Sequence, residues 1–182
     1  EKVYGSMPFA RKEWGTSILG TLVGLICAQT CRNSWSSIGY ANFQATFPGP
    51  NGEPDWDLVR RSRVEALEPC IQHGPYYHTK AERIHGLLQK AYEDFGAGTS
   101  FEALHTWPSE KVRSYLMAIS GLSGKSIACL LLYRMNRLSF AVDANVLRMM
   151  TRLGWLKSLG IMPVEGLAIG DRRVVARIGL LP

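Results

Sequence analysis

The sequence predicts an all-α domain, and three observations carry that prediction. Apolar side chains recur at three- and four-residue spacing through most of the chain. No run of period-two alternation marks a strand. A length of 182 residues with 46% apolar and 20% charged content suits one globular core that needs no covalent staples. Residues 1–182 therefore read as a single domain, free of internal repeats and low-complexity blocks.

Taken in order, the first helix is expected over 17–30, with Ser17 as its cap and Ile18, Leu22, Leu25 and Ile26 as one buried stripe. A second follows over 34–46. The proline- and glycine-dense stretch 47–55 reads as a loop ending on Asp55, which caps a short helix through Arg60, and 64–71 reads as another short helix. The clearest periodicity opens at Thr79, places Ile84, Leu87, Leu88 and Tyr92 on one face and closes at Gly96. A short helix near 101–104 precedes a cap-like Ser109, whose helix runs to about Ala118. After the turn 120–124 come a helix over 125–136, an extended link over 138–142 and a helix over 143–155. Periodicity weakens beyond that point, and 158–182 receive no assignment.

The longest apolar stretch, 18–28, is interrupted by Gly20, Thr21 and Gly24 and falls short of the ~20 residues that cross a bilayer, so no membrane partner is expected. The N-terminus lacks a secretory pattern, and the expected compartment is intracellular. Cys27, Cys31, Cys70 and Cys129 sit in apolar or helical segments and read as reduced thiols. Cys27 and Cys31 would share a helix face, but without a nearby histidine pair they make a poor metal site, and none is expected. The net charge of +6 is polarised: residues 1–110 carry 10 Lys/Arg against 12 Asp/Glu, whereas residues 111–182 carry 11 against 3. A phosphate-rich partner would bind the second half by counterion release. A merely solvated basic face would look the same.

Residues 110–136 have the outline of helix, glycine-containing turn and helix. Such a turn can aim several unpaired N–H groups outward, forming a nest for a phosphate oxygen; from the glycines alone, a plain αα-hairpin loop is the favoured reading. Lys125 leaves this turn at the start of the next helix. Its residue type and place suit either a phosphate contact or, as a partly desolvated amine, a nucleophile toward a sugar C1′. Asp143, eighteen residues later, is a natural N-cap. Helix N–H groups would keep the same carboxylate ionised, able to stabilise oxocarbenium character or to take a proton from a nucleophile.

The run ISGLSGKSIACLLLYRMNRLSFAVDANVLRMMTRLGW (119–155) resembles the helix-hairpin-helix, glycine/proline-aspartate DNA glycosylases. Their pattern L-P-G-V-G-x-K-T-A is followed, eighteen residues after its Lys, by V-D-T-H/N-V-x-R. LICAQT (25–30) is similar to the family's helix ending in S-A-Q or T-Q-N, and GPYYHTKAERI (74–84) to its G-L-Y-x-x-K-A-x-x-I segment with one residue added. Several motifs in one order are more specific than any alone. Within the family, GTSILGTLVGLICAQT, SWSSIGYANF, TFP and DWDLVR resemble signatures of the DEMETER-like plant 5-methylcytosine glycosylases.

This resemblance implies a two-lobed helical glycosylase fold and a monomer that acts on double-stranded DNA in the nucleus. It further implies excision of a modified pyrimidine, 5-methylcytosine first, with strand cleavage by an associated lyase activity. Lys125 would be the Schiff-base nucleophile and Asp143 its activating carboxylate. Gln29 would fill the gap left by a flipped nucleotide, and Gly121, Leu122, Ser123 and Gly124 would hold phosphate through backbone N–H groups. Repair of oxidised pyrimidines or mismatched thymine, water-mediated excision through Asp143, and a non-catalytic DNA-binding module are the alternatives.

The chain also departs from the pattern. Ser120 replaces Pro, Ala144 replaces Thr, and Ser123 replaces the second Gly, which moves the expected positive φ onto Gly124. The family's usual [4Fe-4S] loop, C-x6-C-x2-C-x5-C, has no counterpart, since no Cys follows Cys129, and no cofactor is expected within this chain.

Overall fold

The computed structural model describes residues 14–158 except 97 and 99. The described residues are helical with no named strand; the extended pairing among them is an isolated bridge between Pro48 and Pro54. The unassigned stretch 158–182 lies, but for Ser158, outside the described residues.

Helix α1 (Ile18–Cys27) is buried nearly all round, with Ile18, Leu22, Val23 and Ile26 fully inaccessible. A helix apolar on every side needs neighbours on every side. α2 (Asn33–Thr46), α5 (Tyr77–Phe95) and α7 (Gly124–Tyr133) supply them. Gly20 and Gly24, which interrupt the apolar run in the sequence, permit close approach: a Cβ on Gly20 would stand 2.6 Å from the Tyr40 hydroxyl of α2, and one on Gly24 2.3 Å from the Trp14 ring. α1 has no acidic residue in its first turn. Distant carboxylates provide the charge instead. Glu53 accepts from the Thr16 N–H, the Ser17 N–H and both hydroxyls, and Glu102 accepts from the Ile18 N–H at 2.7 Å.

Ser17 and Asp55 cap α1 and α3 (Trp56–Arg61) as expected. Residues 64–71 do not form one helix. A 3₁₀ turn, Val64–Ala66, gives way to α4 (Glu68–Ile71), because Pro69 has no N–H to continue a ladder. α5 opens two residues early behind Tyr76, whose φ is +57°. Of its expected stripe, Ile84, Leu87 and Leu88 are buried, but Tyr92 is 39% exposed. Tyr92 covers the seam to α3, with the Arg60 guanidinium 3.8 Å from its ring centroid. The segment near 101–104 is a 3₁₀ helix, Glu102–Thr106. α6 (Ser109–Met117) starts on Ser109, with Pro108 rather than Ser109 at the cap position. α7 stops at Tyr133, three residues before the left-handed Asn136.

α8 (Ala144–Arg152) and α9 (Trp155–Ser158) replace the single helix expected over 143–155; Gly154, at φ +73°, breaks it. Val142, Leu147, Met150 and Leu156 form a small second core beside the main one.

Candidate active-site cleft and nucleic-acid interface

The turn between α6 and α7 is built on Gly121, at φ +90°, and not on Gly124, which is the first residue of α7. A Cβ on Gly121 would lie 2.7 Å from the Arg83 side chain, so glycine is required by conformation and by contact. Ser123, where the pattern has glycine, is the N-cap: its hydroxyl accepts from the Ser126 N–H at 3.2 Å. The Leu122 N–H is spent inside the turn on the Ile119 carbonyl at 3.3 Å. The N–H groups of Gly124 and Lys125, in the first turn of α7, have no carbonyl one turn behind them.

Gln29 sits just past the end of α1 and bridges to this turn. Its amide nitrogen donates to the Gly121 carbonyl at 2.7 Å, and its oxygen accepts from Arg83 at 2.9 Å. Gln29 and Arg83 also line a groove of about 260 Å³ with Thr30, Thr79, Lys80 and the exposed Tyr76. Lys80 is buried and donates to the Cys27 carbonyl at 3.1 Å, closing the C-terminal end of α1 together with the Cys31 thiol at 3.0 Å.

Lys125 and Asp143 line one open cleft of about 990 Å³. Lys125 is exposed, and among the described residues its ammonium has no hydrogen-bond or ion-pair partner. Asp143 is the N-cap of α8: Oδ1 accepts from the Asn145 and Val146 N–H groups, both at 2.9 Å, and Oδ2 makes no hydrogen bond among the described residues. Capping thus leaves one carboxylate oxygen available. Thr21, Leu25 and Ala28 present one face of α1 to the cleft; Trp14, Trp35, Cys129 and Tyr133 add aromatic and apolar wall. Arg32 and Arg134 add positive charge. Sequence reasoning did not single out Arg83, Lys80, Trp35 or Arg134 for the site. Their roles depend on helix packing, although Lys80 and Arg83 do stand inside the GPYYHTKAERI motif.

The cysteines do not fit an iron–sulfur cluster. They lie on separate parts of the helical core apart from the Cys27–Cys31 pair, and the described residues contain no group of three or more potential metal ligands. Burial pushes the Cys27 thiol up to about 12, against the opposing charge of Lys80, so it is not a ready thiolate.

The chain is 36% identical over 102 residues to DNA glycosylase/AP lyase ROS1 of Arabidopsis thaliana, which covers 56% of this chain and 7% of the relative. It is 33% identical over 102 residues to Transcriptional activator DEMETER of the same plant, covering 56% of this chain and 5% of the relative. The chain thus spans a small part of these relatives. Among solved structures, MBOgg1 in complex with a low-affinity DNA ligand superposes with a TM-score of 0.64 at 23% identity, over 90% of this chain and 52% of that one. The Helicobacter pylori 3-methyladenine DNA glycosylase MagIII, bound to 1,N6-ethenoadenine, gives 0.64 at 18% identity, over 91% and 83%. These two likenesses establish the fold. The family model described as HhH-GPD superfamily base excision DNA repair protein matches residues 23–164, and the chain belongs to that family.

Proposed function

We propose that this chain is a bifunctional DNA glycosylase and AP lyase that removes a modified pyrimidine, 5-methylcytosine first, from double-stranded DNA in the nucleus. One observation carries the reading: Lys125 and Asp143 start consecutive helices and meet at one cleft, the lysine without a partner among the described residues and the aspartate held by two N–H groups. The similarity to the DNA glycosylase/AP lyase ROS1 supports the same reaction class.

The target nucleotide must leave the stack before its glycosidic bond can be reached. In this reading Gln29, beside the hairpin, occupies the gap. The hairpin N–H groups other than that of Leu122, and the basic second half, hold backbone phosphates. Asp143 takes a proton from Lys125, the neutral amine attacks C1′ as the C1′–N bond breaks, and the departing base takes the proton that Asp143 accepted. Opening of the C1′–O4′ bond, with one proton of the attached amine passing to O4′, gives a protonated Schiff base between Lys125 and C1′. Loss of a C2′ proton then expels the 3′ phosphate, and water releases the lysine.

Borohydride reduction during turnover on duplex containing 5-methylcytosine traps a covalent adduct in the wild type, and Lys125→Gln traps none. Persistent trapping in that variant removes Lys125 from the role. Asp143→Asn is expected to slow excision by about 10²-fold or more while salt-sensitive DNA binding remains. Base release without a nick points instead to excision by water activated at Asp143.

A further inference from the structure

We infer that Arg134 reads the edge of the flipped base and selects cytosine-type over thymine-type pyrimidines; this rests on the glycosylase reading above. Arg134 is the C-cap of α7, at the opposite end of that helix from Lys125, and both residues line the cleft. Nine residues at helical rise separate them by roughly 13 Å along the axis, room for a nucleoside between the attacking amine and a reading group.

The guanidinium is fixed on one side only. Its Nε donates to Thr21 Oγ1 at 2.7 Å, and its Nη2 donates to the Gly15 carbonyl at 2.5 Å. The Thr21 hydroxyl donates its own hydrogen to the Ser17 carbonyl at 2.9 Å, so its oxygen can only accept from Arg134. Thr21 is buried, and the pair locks the plane of the guanidinium. Nη1 makes no hydrogen bond among the described residues, and Arg134 carries no ion pair there. What remains available in the cleft is the outer fork of a group that presents only donors.

Such a fork requires two neighbouring acceptors. Cytosine and 5-methylcytosine offer O2 and N3 side by side. Thymine and uracil derivatives offer O2 but carry a hydrogen on N3, which would confront one guanidinium N–H with another and leave both unsatisfied. Arg134 therefore sets the ring type, and because the O2/N3 edge is unchanged by a 5-methyl group, it leaves methylation to be read elsewhere.

The test is single-turnover excision from duplexes carrying 5-methylcytosine or thymine at the same position opposite guanine. The ratio of the two rates is measured in the wild type and in Arg134→Met. The ratio is expected to fall by about 10- to 100-fold in the variant, the range for loss of a paired donor contact. An unchanged ratio overturns the inference and leaves the glycosylase reading intact. Should Arg134→Met fail to fold, the wild type with a 3-deaza analogue of 5-methylcytosine asks the same question from the substrate side. Removal of the N3 acceptor is expected to slow excision at least tenfold, and an undiminished rate overturns the inference. Wild-type protein that excises neither base and forms no borohydride-trapped adduct with an abasic duplex overturns the glycosylase reading and, with it, the role of Arg134.

Discussion

Glu53 shows how one side chain can organise a helix it does not belong to. Burial acts to raise its pKa, but the hydrogen bonds from the Ser17 hydroxyl, the Thr16 and Ser17 N–H groups and the Thr16 hydroxyl outweigh it, and the net shift is downward. A carboxylate with a lowered folded-state pKa contributes stability that is present above its unfolded value, near 4.5, and is lost as pH falls through the folded value. Glu53→Gln keeps one acceptor and loses the charge. Chemical denaturation is expected to report about 1–2 kcal/mol of lost stability at pH 7, together with a flatter pH dependence below the ordinary carboxylate range. An unaltered acid limb would place the α1 cap elsewhere. Asp143 poses the same capping problem within its own helix, and there the sequence was sufficient: a short acid ahead of an amphipathic helix is a local signal. Glu53, 36 residues from Ser17, gives no such signal, because nothing in FPGPNGEPD states which helix end will lie above it.

At the scale of the element, the hairpin was legible as a turn and misread in detail. Its positive φ belongs to Gly121, because Ser123 is extended, with φ −115° and ψ 159°, and caps α7 with its hydroxyl. The serine in place of glycine is thus a gain in helix capping. Gly121→Ala combines a left-handed backbone with a Cβ driven into Arg83, at a cost of about 1–3 kcal/mol. The same change displaces the carbonyl that holds Gln29, so affinity for duplex DNA is expected to fall along with thermal stability. Wild-type affinity in a folded Gly121→Ala protein would separate the hairpin from the DNA contact. Gln29 itself was found by its motif, but its partners were not. Arg83 lies 54 residues away on α5, and only the packing of α5 against α1 brings the guanidinium to the amide.

Across the whole molecule, the described residues divide into a main core centred on α1 and a small cluster under α8 and α9. The small cluster buries four apolar side chains, and nearby Leu138, Met149, Leu153 and Trp155 are exposed. Few buried contacts mean a low local opening free energy. Hydrogen exchange is expected to be faster through 142–156 than through α1, α5 and α7, and slower exchange with DNA bound would tie that lobe to the cleft through Asp143. Equal protection of both regions without DNA would show one cooperative unit.

The sequence by itself determined the all-α class, the caps Ser17, Asp55 and Asp143, the hairpin and the ordered motifs that identify the family. Each of these is local: a period of 3.6, a side chain three residues from the N–H it satisfies, or a fixed spacing along the chain. Only the tertiary structure decided which groups meet. Lys125 and Asp143 on one cleft, Gln29 on Gly121 and Arg83, Lys80 on the end of α1, and Arg134 held by Thr21 and Gly15 each join positions between 18 and 119 residues apart. Such meetings follow from which helix faces bury together, and burial is a property of the packed whole; of these pairs, Lys125 with Asp143 was also implied by the family's spacing along the chain.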